Sequence, residues 1–249
     1  MGRNQVDIDA ILQKWPYQPG TIRARVVRAR GGREVLQMRI ELGVLQMEIA
    51  HRPDGERPGG ADTYLDHLRG LLRSAEKADF QLTEEQCAEM DREFVQYYQR
   101  RVCWLALRQF GRVVADADHT LALMDFAAAH SPGDDWTLSH EQYRPFVLFH
   151  RTQAASLAAL ENDGPEAAIE AVTAGLEGIR QTLQQGDQAT GIEDDSLVRP
   201  LLELRQWVRE QYHVARTLGE QLSDAVAKEQ YELAAKLRDE IARRRSQTS

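Results

Sequence analysis

The sequence of 249 residues is poor in cysteine and contains no long apolar run. Its two cysteines, Cys87 and Cys103, lie in helical patterns and form no Cys-x-x-Cys pair, so we expect reduced thiols rather than a zinc or redox site. The chain has no stretch of about eighteen apolar residues, the length that a helix needs to cross a bilayer. The N-terminus is polar where a signal peptide would be apolar, and we therefore expect a cytoplasmic protein.

The familiar catalytic motifs are also absent. There is no Gly-x-x-x-x-Gly-Lys-Ser/Thr phosphate loop, no Gly-x-Ser-x-Gly elbow and no glycine fingerprint for a dinucleotide. We therefore predict no cofactor, and we expect the protein not to be an enzyme.

Several acidic and histidine residues in the middle of the chain are possible metal ligands. They are Asp116, Asp118, His119, His130, Asp134, Asp135 and His140. Their spacing differs from the His-Glu-x-x-His pattern of helical zinc sites. Asp134 and Asp135 follow Ser-Pro-Gly and are more simply explained as a solvated loop and helix cap. We therefore predict no metal site.

The charge of the chain is unevenly distributed. A net charge of -8 argues against nucleic acid as the main partner, because phosphate binding depends on clustered cations. The first quarter is nevertheless mildly basic. The nucleic-acid candidates are Arg23, Arg25, Arg28, Arg30, Arg33 and Arg39. A solvated strand face that resists edge pairing explains them as well, and we prefer that interpretation.

Residues 1–60 are predicted to form a small region with an antiparallel sheet. A short helix over residues 7–14 comes first, and the alternation of apolar residues after it predicts the strands. In the first strand Ile22, Ala24 and Val26 would share one face, and Gly31-Gly32 would supply a hairpin turn. A second apolar run changes phase after Gly43, which predicts a β-bulge or a tight reversal. The region is either a hairpin or a three-stranded sheet.

Beyond residue 60 the apolar period becomes helical. Thr83 and Gln86 have the spacing of a capping box at a helix start. The segments 104–123 and 154–172 resemble tetratricopeptide helix pairs, the second with a turn at 162–165. A plain bundle of antiparallel helices explains residues 61–190 equally well, and residues 191–217 would form a connecting helix. The predicted fold class is α+β, mostly α.

The C-terminal residues 218–245 form two short amphipathic stripes. Apolar residues at i, i+4 and i+7 of one helix would face a similar stripe of the next, and Tyr231 would cover the open end of the hairpin after a turn at 228–230. The sequence resembles the UVR motif family. The matching residues, which the resemblance implies as partner-binding, are Leu218, Leu222, Ala225, Tyr231, Glu232, Ala234, Ala235, Leu237, Arg238, Asp239 and Ile241.

The UVR motif associates the excision-repair proteins UvrB and UvrC and occurs in adaptors linked to Clp ATPases. This resemblance implies protein docking. The leading hypothesis is therefore a non-enzymatic adaptor that binds a protein partner through the hairpin. One alternative is an accessory DNA-binding factor in nucleotide excision repair that uses the arginines of the sheet, and another is a homo-oligomer assembled through the hairpin. The helicase of UvrB and the nuclease of UvrC are excluded, because the chain has neither a phosphate loop nor a Gly-Ile-Tyr and Tyr-Ile-Gly pair.

Overall fold

The computed structural model describes residues 7–74, 80–185 and 196–248. It confirms the predicted α+β class: a three-stranded antiparallel sheet near the N-terminus is followed by helices. The strands are β1 (Arg23–Arg28), β2 (Glu34–Ile40) and β3 (Gly43–Glu48). The helices are α1 (Asp9–Lys14), α2 (Tyr64–Ser74), α3 (Glu84–Ala106), α4 (Phe110–His130), α5 (Asp134–Glu141), α6 (Arg144–Asn162), α7 (Pro165–Gln185), α8 (Val198–Gln211), α9 (Leu218–Ala227) and α10 (Tyr231–Thr248).

The chain divides into two compact units, Met1–Arg151 and Thr152–Ser249. The boundary predicted between residues 190 and 191 lies outside the described residues. In the described ranges, no helix has the length and apolarity that a bilayer crossing requires.

The sheet has the strand order β1-β2-β3. The first turn contains Gly31 and Gly32 with φ of 86° and 84°, as predicted for a hairpin turn. Ile40 pairs with Gly43, so the second connection is a tight reversal and not a bulge. The region is therefore a three-stranded meander.

The apolar face of β1 is not its more buried face. Ile22 and Val26 are exposed, whereas Arg25 on the opposite face is half-buried. The reason is Trp15, which is buried, and over whose ring the Arg25 guanidinium stacks at 4.1 Å. The guanidinium of Arg25 thus packs on the more polar face of the strand, while Ile22 and Val26 lie towards solvent.

Helix α3 is the central element of the first unit, where it packs against α4 and the sheet. It begins with the predicted capping box: the Thr83 hydroxyl accepts from the Gln86 amide at 3.3 Å, and the Thr83 amide donates to Gln86 at 2.9 Å. The main apolar core of the unit includes Leu65, Leu68 and Leu123.

The buried guanidinium of Arg100 connects α3 to α4 and to the end of the sheet. It donates to the Asp116 carboxylate at 2.7–3.2 Å. Its remaining nitrogen donates to the carbonyl oxygens of Glu48 at 3.1 Å and His51 at 2.7 Å. Tyr97 donates to the same His51 carbonyl at 3.1 Å. One side chain therefore fixes three segments, with a carboxylate to balance its charge.

The second unit contains the second of the two predicted helix pairs. Helices α6 and α7 are joined at Gly164, whose φ is 93°, and Pro165 is the first residue of α7, as predicted. Helix α8 packs on α7 around Ile169 and Val208. The first predicted pair is placed incorrectly: segment 104–123 contains only the end of α3, a turn and most of α4. The tetratricopeptide resemblance itself remains a prediction.

Helices α6 and α7 approach closely at Gly175. A Cβ atom at this position would overlap the buried Thr152 side chain, whereas a Cβ atom at Gly178 in the same helix would meet nothing within 4 Å. The two glycines of α7 therefore have opposite roles.

We expect Gly175→Ala to lower the free energy of unfolding by about 1–3 kcal/mol, because the methyl group overpacks the helix contact. Gly178→Ala is the matched control. It should raise the same quantity by about 0.5–1 kcal/mol, since alanine restricts the unfolded chain and favours the helix. Urea denaturation followed by circular dichroism measures both, and two changes of the same sign would contradict the close approach.

His150 is expected to make the first unit sensitive to acid. It is buried against Phe146, and burial, followed by the charge of Arg101, lowers its pKa from 6.5 to about 4. Between these pH values the unfolded chain takes up a proton that the folded chain does not. The free energy of unfolding should therefore fall as the pH drops from 6.5 to 4, by on the order of 3 kcal/mol from this group.

In His150→Leu this part of the pH dependence should disappear. Unfolding is followed by tryptophan fluorescence, to which the buried Trp104 contributes, at several pH values for both proteins. At neutral pH the two proteins differ in their free energy of unfolding only through packing. The test is therefore how this difference in free energy changes with pH. Parallel profiles would mean that His150 titrates normally in the folded protein.

Candidate protein-interaction site

The C-terminal hairpin begins at a capping box that the sequence analysis missed. The Thr217 hydroxyl accepts from the Glu220 amide at 3.2 Å, and the Thr217 amide donates to the Glu220 carboxylate at 3.0 Å. The signal was available, because Thr217 and Glu220 have the same spacing as Thr83 and Gln86. The box fixes the start of α9 at Leu218.

Helices α9 and α10 pack against each other along the predicted stripes. Ala225 and Ala234 are buried, so the two backbones approach at small side chains. The other stripe residues are half-buried. They are Leu218, Leu222, Leu237 and Ile241, and Ala235 of the motif is half-buried as well. The hairpin therefore shields its seam only in part, as expected for an element of two short helices.

The turn of the hairpin occupies Lys228–Gln230, as predicted. Glu229 has a φ of 57°, and the Gln230 amide donates to the Ala225 carbonyl at 2.8 Å. The expected position of Tyr231 is wrong. Its ring is exposed and does not cover the end of the hairpin, because the seam already closes on the two alanines.

The hairpin is attached to α8 through Glu220. This carboxylate forms an ion pair with Arg209 while it caps α9. Burial raises the pKa of Glu220, but the hydrogen bonds from Arg209 and the Thr217 amide outweigh it and leave the pKa lowered. Val214, in the segment between α8 and α9, packs against the core of α7 and α8. The start of α9 is thus fixed in the second unit.

The turn end of the hairpin exposes apolar side chains. Val226 is 53% exposed, Tyr231 68% and Leu233 46%. The remaining residues of the UVR pattern, Glu232, Arg238 and Asp239, are exposed and polar. Apolar side chains with charged neighbours are typical of a protein-interaction surface.

Three of the six candidate arginines contact the segment after α1. Arg39 is 7% exposed and donates to the carbonyl oxygens of Trp15 at 2.7 Å and Gly43 at 2.9 Å. Arg23 donates to the Pro16 carbonyl, and Arg25 lies over Trp15. The interpretation as a solvated strand face is therefore wrong for Arg39, because its guanidinium holds the chain against the sheet.

The other three arginines differ in their surroundings. Arg33 pairs with Glu48 at 3.1 Å on the surface. Arg28 at the end of β1 and Arg30 in the turn are exposed. The six arginines do not form one common surface for a phosphate backbone.

Several of the possible metal ligands are engaged with separate partners. His119 lies 2.8 Å from the buried Glu93, and His140 lies 2.8 Å from Asp91. Asp116 binds Arg100. Within the described ranges, no three His, Cys, Asp or Glu side chains are grouped so that they could hold a metal ion.

Comparison with known proteins identifies the hairpin. Residues 214–247 match the UVR family, described as the UvrB/uvrC motif. No curated protein and no solved structure matches the chain. The match includes the Thr217 cap, α9 and nearly all of α10. The C-terminal hairpin thus matches the UvrB/uvrC motif, which confirms the resemblance predicted from its sequence.

Proposed function

We propose that the protein is a non-enzymatic adaptor, whose C-terminal hairpin docks on an apolar helical surface of a partner protein. The observation that carries this proposal is the exposure of Val226, Tyr231 and Leu233 around the turn of a hairpin that matches the UvrB/uvrC motif. These side chains gain most from burial against a partner.

The attachment of the hairpin supports this role. The ion pair of Glu220 with Arg209 and the Thr217 cap hold the start of α9 to α8. A surface that is ordered before binding loses less conformational entropy when a partner arrives. A partner helix could lie across the exposed apolar residues and complete the half-buried seam.

A nucleic-acid role has weaker support. Arg23, Arg25 and Arg39 make contacts within the protein, and the net charge is -8. Binding to a phosphate backbone would depend mainly on Arg28 and Arg30. We therefore prefer docking over the accessory DNA-binding function.

The test uses the full chain as bait with Val226→Asp and Leu233→Asp combined. A partner recovered with the wild type is purified and titrated against both proteins. We expect the affinity to fall by at least about tenfold, because two carboxylates would be buried without counter-charges. The control is Ala242→Asp, at an exposed position roughly half a turn around α10 from Leu233. The control should bind like the wild type.

Two results would contradict the proposal, and a third would replace it with the homo-oligomer hypothesis. One is an unchanged affinity of the double variant for every purified partner, with its circular dichroism spectrum intact. The other is salt-dependent binding to DNA that Arg28→Glu with Arg30→Glu abolishes, since this would favour the nucleic-acid function. If the partner is a second copy of the chain, sedimentation shows a wild-type oligomer that the double variant lacks, and the homo-oligomer hypothesis holds instead.

A further inference from the structure

The first unit contains an apolar groove of about 720 Å³ between α3, α4, α5 and the first turns of α6. Its walls are mainly aromatic and aliphatic. They include Phe94, Tyr98, Met124, Tyr143, Phe146 and Val147. Small-molecule sites have this size and composition, with a few polar groups that orient the ligand.

The most unusual residue of the groove is Arg101, which is only 2% exposed. One nitrogen of its guanidinium donates to the Thr120 hydroxyl at 2.9 Å, and its carbon lies 5.8 Å from the centre of the Tyr98 ring. The Nε atom is buried without a hydrogen-bond partner in the described part of the chain. No carboxylate of that part lies within 4.0 Å of the guanidinium.

The preceding residue shows what a balanced buried arginine requires. Arg100 has the Asp116 carboxylate and two carbonyl oxygens as acceptors. Burial would lower the pKa of Arg100, but the hydrogen bond and charge of Asp116 more than offset it and leave the pKa raised. Burial lowers the pKa of Arg101 to about 10, and the more distant charge of Asp116 offsets this only in part.

The neighbouring ionisable groups do not supply the missing counter-charge. His150 cannot supply a negative charge; burial lowers its pKa to about 4, so it adds no second positive charge at pH 7, and its Nδ1 atom also lacks a hydrogen-bond partner among the described residues. Asp91 lines the groove but is half exposed and lies 2.8 Å from His140. A buried cation without a paired anion is unfavourable.

We propose that this groove binds an apolar monocarboxylate, with its carboxylate on Arg101 and its hydrocarbon body along the aromatic walls. A guanidinium matches a carboxylate in a two-pronged hydrogen bond. One cation balances one negative charge, which favours a monoanion over a phosphate that carries about two. The apolar walls favour a hydrocarbon body over a sugar or a peptide.

The exposure of the lining residues indicates the orientation of the ligand. Val95 and Tyr143 are exposed and mark the mouth, whereas Arg101 and Met124 are buried. The carboxylate of the ligand therefore lies deepest in the groove, and the far end of its hydrocarbon body lies towards solvent. This inference concerns the first unit and does not depend on docking by the hairpin.

The experiment is calorimetric titration of the full chain with hexanoate, octanoate and decanoate below their micellar concentrations. We expect saturable binding at one site, with an affinity that rises up to about fourfold for each added methylene. Octan-1-ol, acetate and inorganic phosphate are the controls. The alcohol lacks the charge, acetate lacks the apolar body, and phosphate carries a different anion, so each should bind at least about tenfold more weakly than octanoate.

Arg101→Met tests the role of the cation. It should weaken octanoate binding by about tenfold or more and reduce the preference for octanoate over octan-1-ol. Without ligand its unfolding temperature should equal or exceed that of the wild type, because an unbalanced buried charge is replaced by an apolar side chain. A purely structural arginine would instead leave a less stable protein.

A second pair of variants acts at the mouth, where folding is not at risk. Val95→Glu places a negative charge beside the entrance and should weaken octanoate binding, while the neutral Val95→Gln should not weaken it to the same extent. This pair decides the question if Arg101→Met does not fold. The proposal is overturned if no carboxylate binds, if octan-1-ol or phosphate binds as tightly as octanoate, or if folded Arg101→Met binds octanoate unchanged.

Discussion

The buried ion pair of Arg100 and Asp116 is the interaction on which the first unit most depends. It joins α3 to α4, and its remaining donors bind the carbonyl oxygens of Glu48 and His51 where the chain leaves the sheet. Removal of either charge would leave the other buried and unpaired, which typically costs about 3–5 kcal/mol. This ion pair thus adds a polar connection to the apolar burial of Val35, Leu36 and Met47 in the sheet.

The geometry of the helix explains why Arg101, unlike Arg100, has no paired carboxylate. Successive residues of an α-helix point about 100° apart, so Arg100 and Arg101 cannot share Asp116 equally. Arg100 faces the end of the sheet, and Arg101 faces the groove between α3 and α6. Since a buried charge is usually paired, an unbalanced one in a concave apolar site is more consistent with binding than with stability.

Local sequence patterns predicted the elements that depend on neighbouring residues. Thr83 with Gln86, the glycine pair at 31–32 and the stripe of Leu218 and Leu222 each act within one turn or one hairpin. Contacts that arise only in the folded chain escaped prediction. Arg39 of β2 is buried and donates to the Trp15 carbonyl, and the alternation of residues along β2 carries no information about this contact with a distant segment. The groove was missed for the same reason, because four helices form it and no short motif marks Arg101.

The two ends of α9 have separate tasks. The helix has 10 residues and is therefore about 15 Å long. Thr217 and Glu220 fix its first turn to α8, and the exposed Val226 lies in its last turn. A partner that covers the turn of the hairpin can consequently bind without displacing Arg209 from Glu220. In the docking that we propose, the capped end of α9 is already ordered, so a partner does not have to offset the entropy of ordering it.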